Sequence, residues 1–210
     1  LWILNSIYSI GYMRGNRERN QTRFYICFGL ALFGAMGVAM AGNLFTLFVF
    51  YEVLTLSTYP LVAHKESQAA RDAGRLYMSI LVGTSIVLLL PAVFWVWMAT
   101  GNLEFRSGGI LEGVLDPKMA PFLLALFAFG VGKAALMPIH RWLPAAMVAP
   151  TPVSALLHAV AVVKAGVFTI LTVVVYVFGL DFLSSSGASL WLVWLASFTI
   201  LASSFVAITK

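Results

Sequence analysis

The chain has 210 residues, of which 61% are apolar and only 10% charged, with a net charge of +5 and a mean hydropathy of +0.94. A soluble core of this length needs far more charged surface, so the composition excludes a water-soluble domain and points to an all-α polytopic membrane protein. The positive excess then belongs to loop asymmetry rather than to nucleic-acid binding. The single Cys27 leaves no internal disulfide, Cys-ligated metal cluster or CxxC redox pair.

The first stretch, "LWILNSIYSIGYM", reads as the end of a helix already under way, and an apolar run directly precedes Lys210. The expectation is one transmembrane domain over 1–210 that is a fragment of a longer polypeptide. Hydropathy places spans at 24–42 and 44–62, joined by the tight "AGN" link Ala41–Asn43. Span 76–99 follows, with Pro91 as a kink near its far end. A span at 119–138 runs into a broken region as far as 152, and spans at 153–178 and 190–208 come after it. The linkers "TGNLEFRSGGILEGVLDPK" and "GLDFLSSSG" hold the Gly, Ser, Asp and Pro of loops.

Lys and Arg set the orientation. Arg14, Arg17, Arg19 and Arg23 precede the first full span, and Lys65, Arg71 and Arg75 follow the second. The 100–118 loop has only Arg106 and Lys118 against three acids, and the 179–189 loop has no basic residue. Alternating through the spans puts every basic loop, with Arg141 and Lys210, on one side, the cytoplasmic side of a bacterial or archaeal inner membrane.

Four titratable groups remain inside spans: Glu52, Lys133, His158 and Lys164. A charge at mid-membrane costs about 2.5–3.5 kcal/mol even on the lenient insertion scale, so such groups line the bundle interior or a hydrated cavity. Helical rise puts Glu52 roughly 14 Å deep in a core of about 30 Å, Lys164 near the middle, and Lys133 and His158 about 9 Å from the inner surface. The expectation is a lateral mid-membrane row. Thr55 and Tyr59 share the face of Glu52, and Ser154 lies one turn before His158, as supporting polar groups. Each has a plainer alternative: Lys133 snorkelling to the interface, His158 as a core histidine, Glu52 in a structural ion pair. His64 and His140 read as loop or interface residues. The histidines lack metal-ligand spacing, so no metal site is expected. Trp95, Trp97, Trp142, Trp191 and Trp194 fit interfacial belts.

Pro138 and Pro144 mark the helix break. Pro138 cannot donate to the carbonyl of Ala134, which frees a backbone acceptor beside Lys133. A broken span at membrane depth beside a charged group is the usual sign of a transport site.

The run "KAALMPIHRWLPAAMVAPTPVSALLHAVAVVKAG" resembles the signature of the antiporter-like membrane subunits of respiratory complex I, membrane-bound hydrogenases and Mrp-type cation/proton antiporters. "FVFYEVLTLSTYPLV" is similar to that family's glutamate-bearing helix. The resemblance implies two inverted five-helix repeats, each with a discontinuous helix. This chain would cover the first repeat and the opening helix of the second. By motif position Glu52 matches the family's key glutamate, Lys133 the lysine of the broken helix, Lys164 the lysine of the next helix, and His158 a histidine that some members carry. The implied function is a proton-translocating subunit working beside other membrane subunits in the lipid bilayer, without a cofactor of its own. Nothing resembles a nucleotide, flavin, quinone or haem site, so any redox drive would come from partner subunits. At an effective dielectric near 20, opposite charges attract by about 4 kcal/mol at 4 Å and about 1.7 kcal/mol at 10 Å. Changing the distance or charge of Glu52 is therefore enough to load and unload a proton on Lys133. The rivals are Na⁺/H⁺ exchange, with Na⁺ held by Glu52 or the carbonyls of the broken helix, and a non-transporting scaffold.

Overall fold

The computed structural model describes residues 2–209, so the orientation expected for Lys210 lies outside the described residues. Those residues are helical, as the composition requires, and an isolated antiparallel bridge between Asn43 and Glu104 is their one extended pairing. Helix α1 spans Trp2–Gly15, α2 Gln21–Ala39, α3 Leu44–Val62, α4 Gln68–Thr100 and α5 Ala120–Gly130. Irregular backbone follows to Pro150, and then come α6 Thr151–Phe178, α7 Leu180–Ser186 and α8 Leu190–Thr209. Helices α2, α3, α4, α6 and α8 are long and apolar enough to cross a membrane, whereas α5 is apolar but shorter.

Helices α2 and α3 form a hairpin whose link is capped by Asn43, the side chain of which accepts the Thr46 N–H at 2.7 Å. The hairpin closes tightly because Gly34 leaves room for the α3 backbone: a Cβ there would lie 2.9 Å from Leu54 N. Helix α4 starts eight residues earlier than hydropathy places it. Ser67 caps it, and its first turns are amphipathic, with Arg71, Asp72 and Arg75 exposed and Ala70, Ala73 and Tyr77 buried. Polar residues on one face pull down mean hydropathy without preventing the helix. The kink expected at Pro91 is a π turn, Ser85–Leu89, just upstream, which accommodates the missing proline N–H.

The larger correction concerns the break. The helix expected over 119–138 ends at Gly130, well before Pro138. At about 1.5 Å per residue α5 covers roughly 16 Å, half the hydrocarbon core. Its last residue meets the backbone of the α4 π turn, where a Cβ on Gly130 would lie 2.8 Å from Leu89 Cα. From there the chain runs through a 3-10 turn at Gly132–Ala134, a left-handed Ala135 (φ 55°), and a second 3-10 turn at Ile139–Arg141.

The two ends of the bundle match the charge asymmetry. The basic loops meet one another: Arg23 pairs with Glu66 at 2.8 Å, and Asn20 donates to Glu66 at 3.2 Å. At the other end Leu44 N–H donates to Leu103 O and Phe105 N–H to Gly42 O. There too Ile110 N–H donates to Val177 O, drawing the poorly basic 100–118 loop onto the end of α6.

Candidate functional site

Lys133 is fully buried. It stands in the 3-10 turn beyond α5, and its ammonium reaches α3, where Nζ donates to Tyr51 O at 2.8 Å and to Thr55 Oγ1 at 2.5 Å. Nζ also lies 3.0 Å from the centroid of the Tyr51 ring. Tyr51 grips the turn twice, since its hydroxyl accepts the Lys133 backbone N–H at 3.2 Å. These partners are a carbonyl, a hydroxyl and an aromatic face, all neutral.

Three elements hold this turn in place. Trp142, wholly buried, donates its indole N–H to Gly132 O at 3.0 Å and sets its ring edge-on to Tyr77, with centroids 5.5 Å apart. Tyr77 shares a 2.6 Å hydroxyl–hydroxyl hydrogen bond with Thr58, one turn beyond Thr55 on α3. Thr58 Oγ1 also lies within hydrogen-bond distance of Leu54 O, at 2.7 Å. From the opposite side α6 presents Gly166, where a Cβ would fall 2.6 Å from Lys133 C and 2.9 Å from Lys133 Cβ.

Glu52 is half-buried, and its Oε1 is enclosed without a hydrogen-bond partner among the described residues. No ion pair within 4.0 Å joins it to Lys133 among the described residues. Thr55 is an ammonium ligand. Tyr59 instead packs toward α4, its ring 3.1 Å from where a Gly74 Cβ would stand. His158 lies in a π turn, Leu156–Val160, half-buried, with Nε2 enclosed and unpartnered among the described residues. Ser154 donates to Ala149 O at 3.5 Å, not to His158. Pro138 is exposed just before the Ile139–Arg141 turn, whereas Pro144, expected to mark the break, is exposed inside a helical turn at Trp142–Ala145. Lys164 points outward, exposed, into a groove of about 210 Å³ between α2 and α6 lined by Ala35, Ala39, Ala161 and Phe168. The structure therefore joins Lys133 to Thr55 and Tyr51, and no hydrogen bond or ion pair among the described residues links His158 and Lys164 to them.

Trp142 corrects the sequence reading: it braces the Lys133 turn instead of sitting in an interfacial belt. His64, expected in a loop or at the interface, stands in the turn after α3, 4% exposed and edge-on to Phe24. Tyr51, Thr58 and Tyr77 are functional neighbours that charge and hydropathy do not mark. The spacing Tyr51–Thr55–Thr58, which lines one face of a helix, is the sequence signal for the two on α3; Tyr77, on α4, has none.

Residues 41–210 match the family described as NADH:quinone oxidoreductase/Mrp antiporter, transmembrane. The chain belongs to that family. Hydrogenase-4 component B of Escherichia coli (strain K12) is 33% identical over 194 residues, which is 91% of this chain and 27% of that protein. NAD(P)H-quinone oxidoreductase chain 5 of Synechocystis sp. is 34% identical over 178 residues, 80% of this chain and 25% of that protein. Among solved structures, a chain of the membrane-bound sulfane sulfur reductase, an archaeal respiratory membrane complex, is 32% identical with a TM-score of 0.63. It is matched over 70% of this chain and 30% of its own length. A chain of the Mrp complex from Dietzia sp. DQ12-45-1b is 30% identical with a TM-score of 0.61, over 70% of this chain and 16% of its own length. The chain spans about a quarter of the length of the curated relatives it matches. This member of the NADH:quinone oxidoreductase/Mrp antiporter family is an integral, multi-pass membrane protein.

Proposed function

We propose that the chain forms the first repeat and the opening helix of the second in a proton-translocating subunit of a multisubunit membrane complex, and that Lys133 is its proton-binding group. The burial of Lys133 against neutral partners, with the Glu52 carboxylate nearby but not in contact, carries this reading. A carbonyl, a hydroxyl and a ring face hold the ammonium without having to gain or lose a proton themselves. Burial disfavours its charge, and the field of Glu52 opposes that penalty. Glu52 lies beyond 4.0 Å, where the attraction is weaker than about 4 kcal/mol and depends on the separation. His158 and Lys164 would take the proton onward, with Lys164 covered by protein rather than lipid in the assembled subunit, since exposure to hydrocarbon at that depth is costly.

The similarity to a chain of an Mrp complex supports a second reading, Na⁺/H⁺ exchange. Proton and sodium flux, measured in vesicles carrying the full polypeptide in its complex, separate the two. The proton reading predicts flux without sodium that Glu52→Gln removes while assembly persists. Near-normal proton flux in an assembled Glu52→Gln complex would leave a scaffold role in front.

A further inference from the structure

At the basic end, the loops Arg17–Asn20 and His64–Glu66 enclose a cavity of about 430 Å³ that the Lys133 site does not use. Of the cavity's carboxylates, Glu66 holds Arg23 and Asn20, whereas Glu18 Oε2 lies 3.8 Å from His64 Nε2, beyond hydrogen-bond distance, and leaves one negative charge against the cations. Its cations are free. Arg17, Arg19 and Lys65 are exposed and have no ion-pair partner among the described residues. At the inner wall His64 is 4% exposed, with Nδ1 enclosed and without a hydrogen-bond partner among the described residues. Burial holds its imidazole below the usual range, an effect that Glu18 beside it opposes.

The backbone around the cavity is strained. Arg17, Asn20 and Glu66 all take left-handed φ values, 52°, 56° and 55°, though none is glycine. Such conformations persist only where the surroundings over-determine them, and they cluster at ligand clamps. The cavity sits where α2 begins and α3 ends, at the membrane–water boundary on the Arg- and Lys-rich side. Anionic headgroups concentrate at that surface, and juxtamembrane basic clusters attract them.

We propose that this cavity binds the phosphate of an anionic membrane lipid, with Arg17, Arg19 and Lys65 as counter-charges and His64 at the inner wall. A free phosphate ion offers the same oxyanion chemistry, but a lipid headgroup is delivered by the bilayer that the loops adjoin. The test uses the full polypeptide in nanodiscs of phosphatidylcholine with phosphatidylglycerol, and native mass spectrometry counts the lipids kept after mild delipidation. The triple variant Arg17→Gln/Arg19→Gln/Lys65→Gln should lose retained phosphatidylglycerol several-fold, with phosphatidylcholine and thermal stability unchanged. A control with the same charge removed at the same end, Arg14→Gln/Arg71→Gln/Arg75→Gln, should retain wild-type phosphatidylglycerol. Equal loss in both variants would mean diffuse surface attraction and would overturn the site. Inorganic phosphate that displaces the retained lipid at millimolar concentration would assign the cavity to the free ion and overturn the lipid assignment.

Discussion

Lys133 sits at the end of a helix that stops short for it, whereas Lys164 sits part-way along a helix that does not. The α5 backbone ends at Gly130 and turns the lysine inward, where a carbonyl, a hydroxyl and an aromatic ring receive the ammonium. Lys164 stays in regular α6 and projects into a groove of apolar side chains that offers it no polar partner among the described residues. The two positions solve the problem of a charge at membrane depth differently. One spends helical hydrogen bonds to build a binding site within the chain, and the other leaves the charge to be met by whatever covers the groove.

The contrast is sharpest in transport. Lys133→Ala should reduce proton flux to background in the assembled complex, while Lys164→Ala should lower it and leave a measurable remainder. Equal loss in both would mean that the internal site has no special standing. Glu52 tests whether the internal site works through charge. Glu52→Asp keeps the charge but withdraws it by one methylene, and Glu52→Gln removes it, so flux should fall in the order wild type, Asp, Gln with assembly alike. Adding Lys133→Ala to Glu52→Gln should cost little more, because both act through one pair. Additive losses in that double variant would separate the two residues.

Stability should divide the two regions as well. Gly166→Ala puts a methyl against the backbone of Lys133, and overpacking of this kind destabilises by about 1–3 kcal/mol. Lys164→Gln, on an exposed position of the same helix, should stay within about 0.5 kcal/mol. Thermal unfolding in detergent reads both. A Gly166→Ala variant as stable as wild type would show that α6 can move away from the turn, and that the turn is not clamped.

The same contrast explains what was legible in the sequence. Span positions follow from apolar runs and were readable to within a few residues, except where the amphipathic start of α4 masked its entry. The existence of a break could be read from Pro138, but its position could not. It is set by the contact of Gly130 with the α4 π turn and by the reach of Lys133 to Tyr51, both tertiary. Lys133 and Thr55 were named from charge and helical spacing. An indole suits an interface by default, and only the fold brings the Gly132 carbonyl within 3.0 Å of the Trp142 N–H. The outward direction of Lys164 was equally hidden, since which neighbours a residue faces depends on how the helices pack.

A finer test separates the contacts of Lys133 from one another. Tyr51 contributes three: its backbone carbonyl and ring face to the ammonium, and its hydroxyl to the Lys133 backbone N–H. Tyr51→Phe removes only the last, and at 3.2 Å that bond is the longest of the set, so the loss should be about 0.5–1.5 kcal/mol of stability with flux close to wild type. Tyr51→Leu removes the ring face as well, and a desolvated cation–π contact is worth about 2 kcal/mol, so it should lose both stability and flux. The ordering matters more than either value. If Phe is as damaging as Leu, the hydroxyl holds the turn and the ring is incidental. If both are benign, the carbonyl and Thr55 alone seat the ammonium, and the site at Lys133 is less unlike the bare groove at Lys164 than its contacts imply.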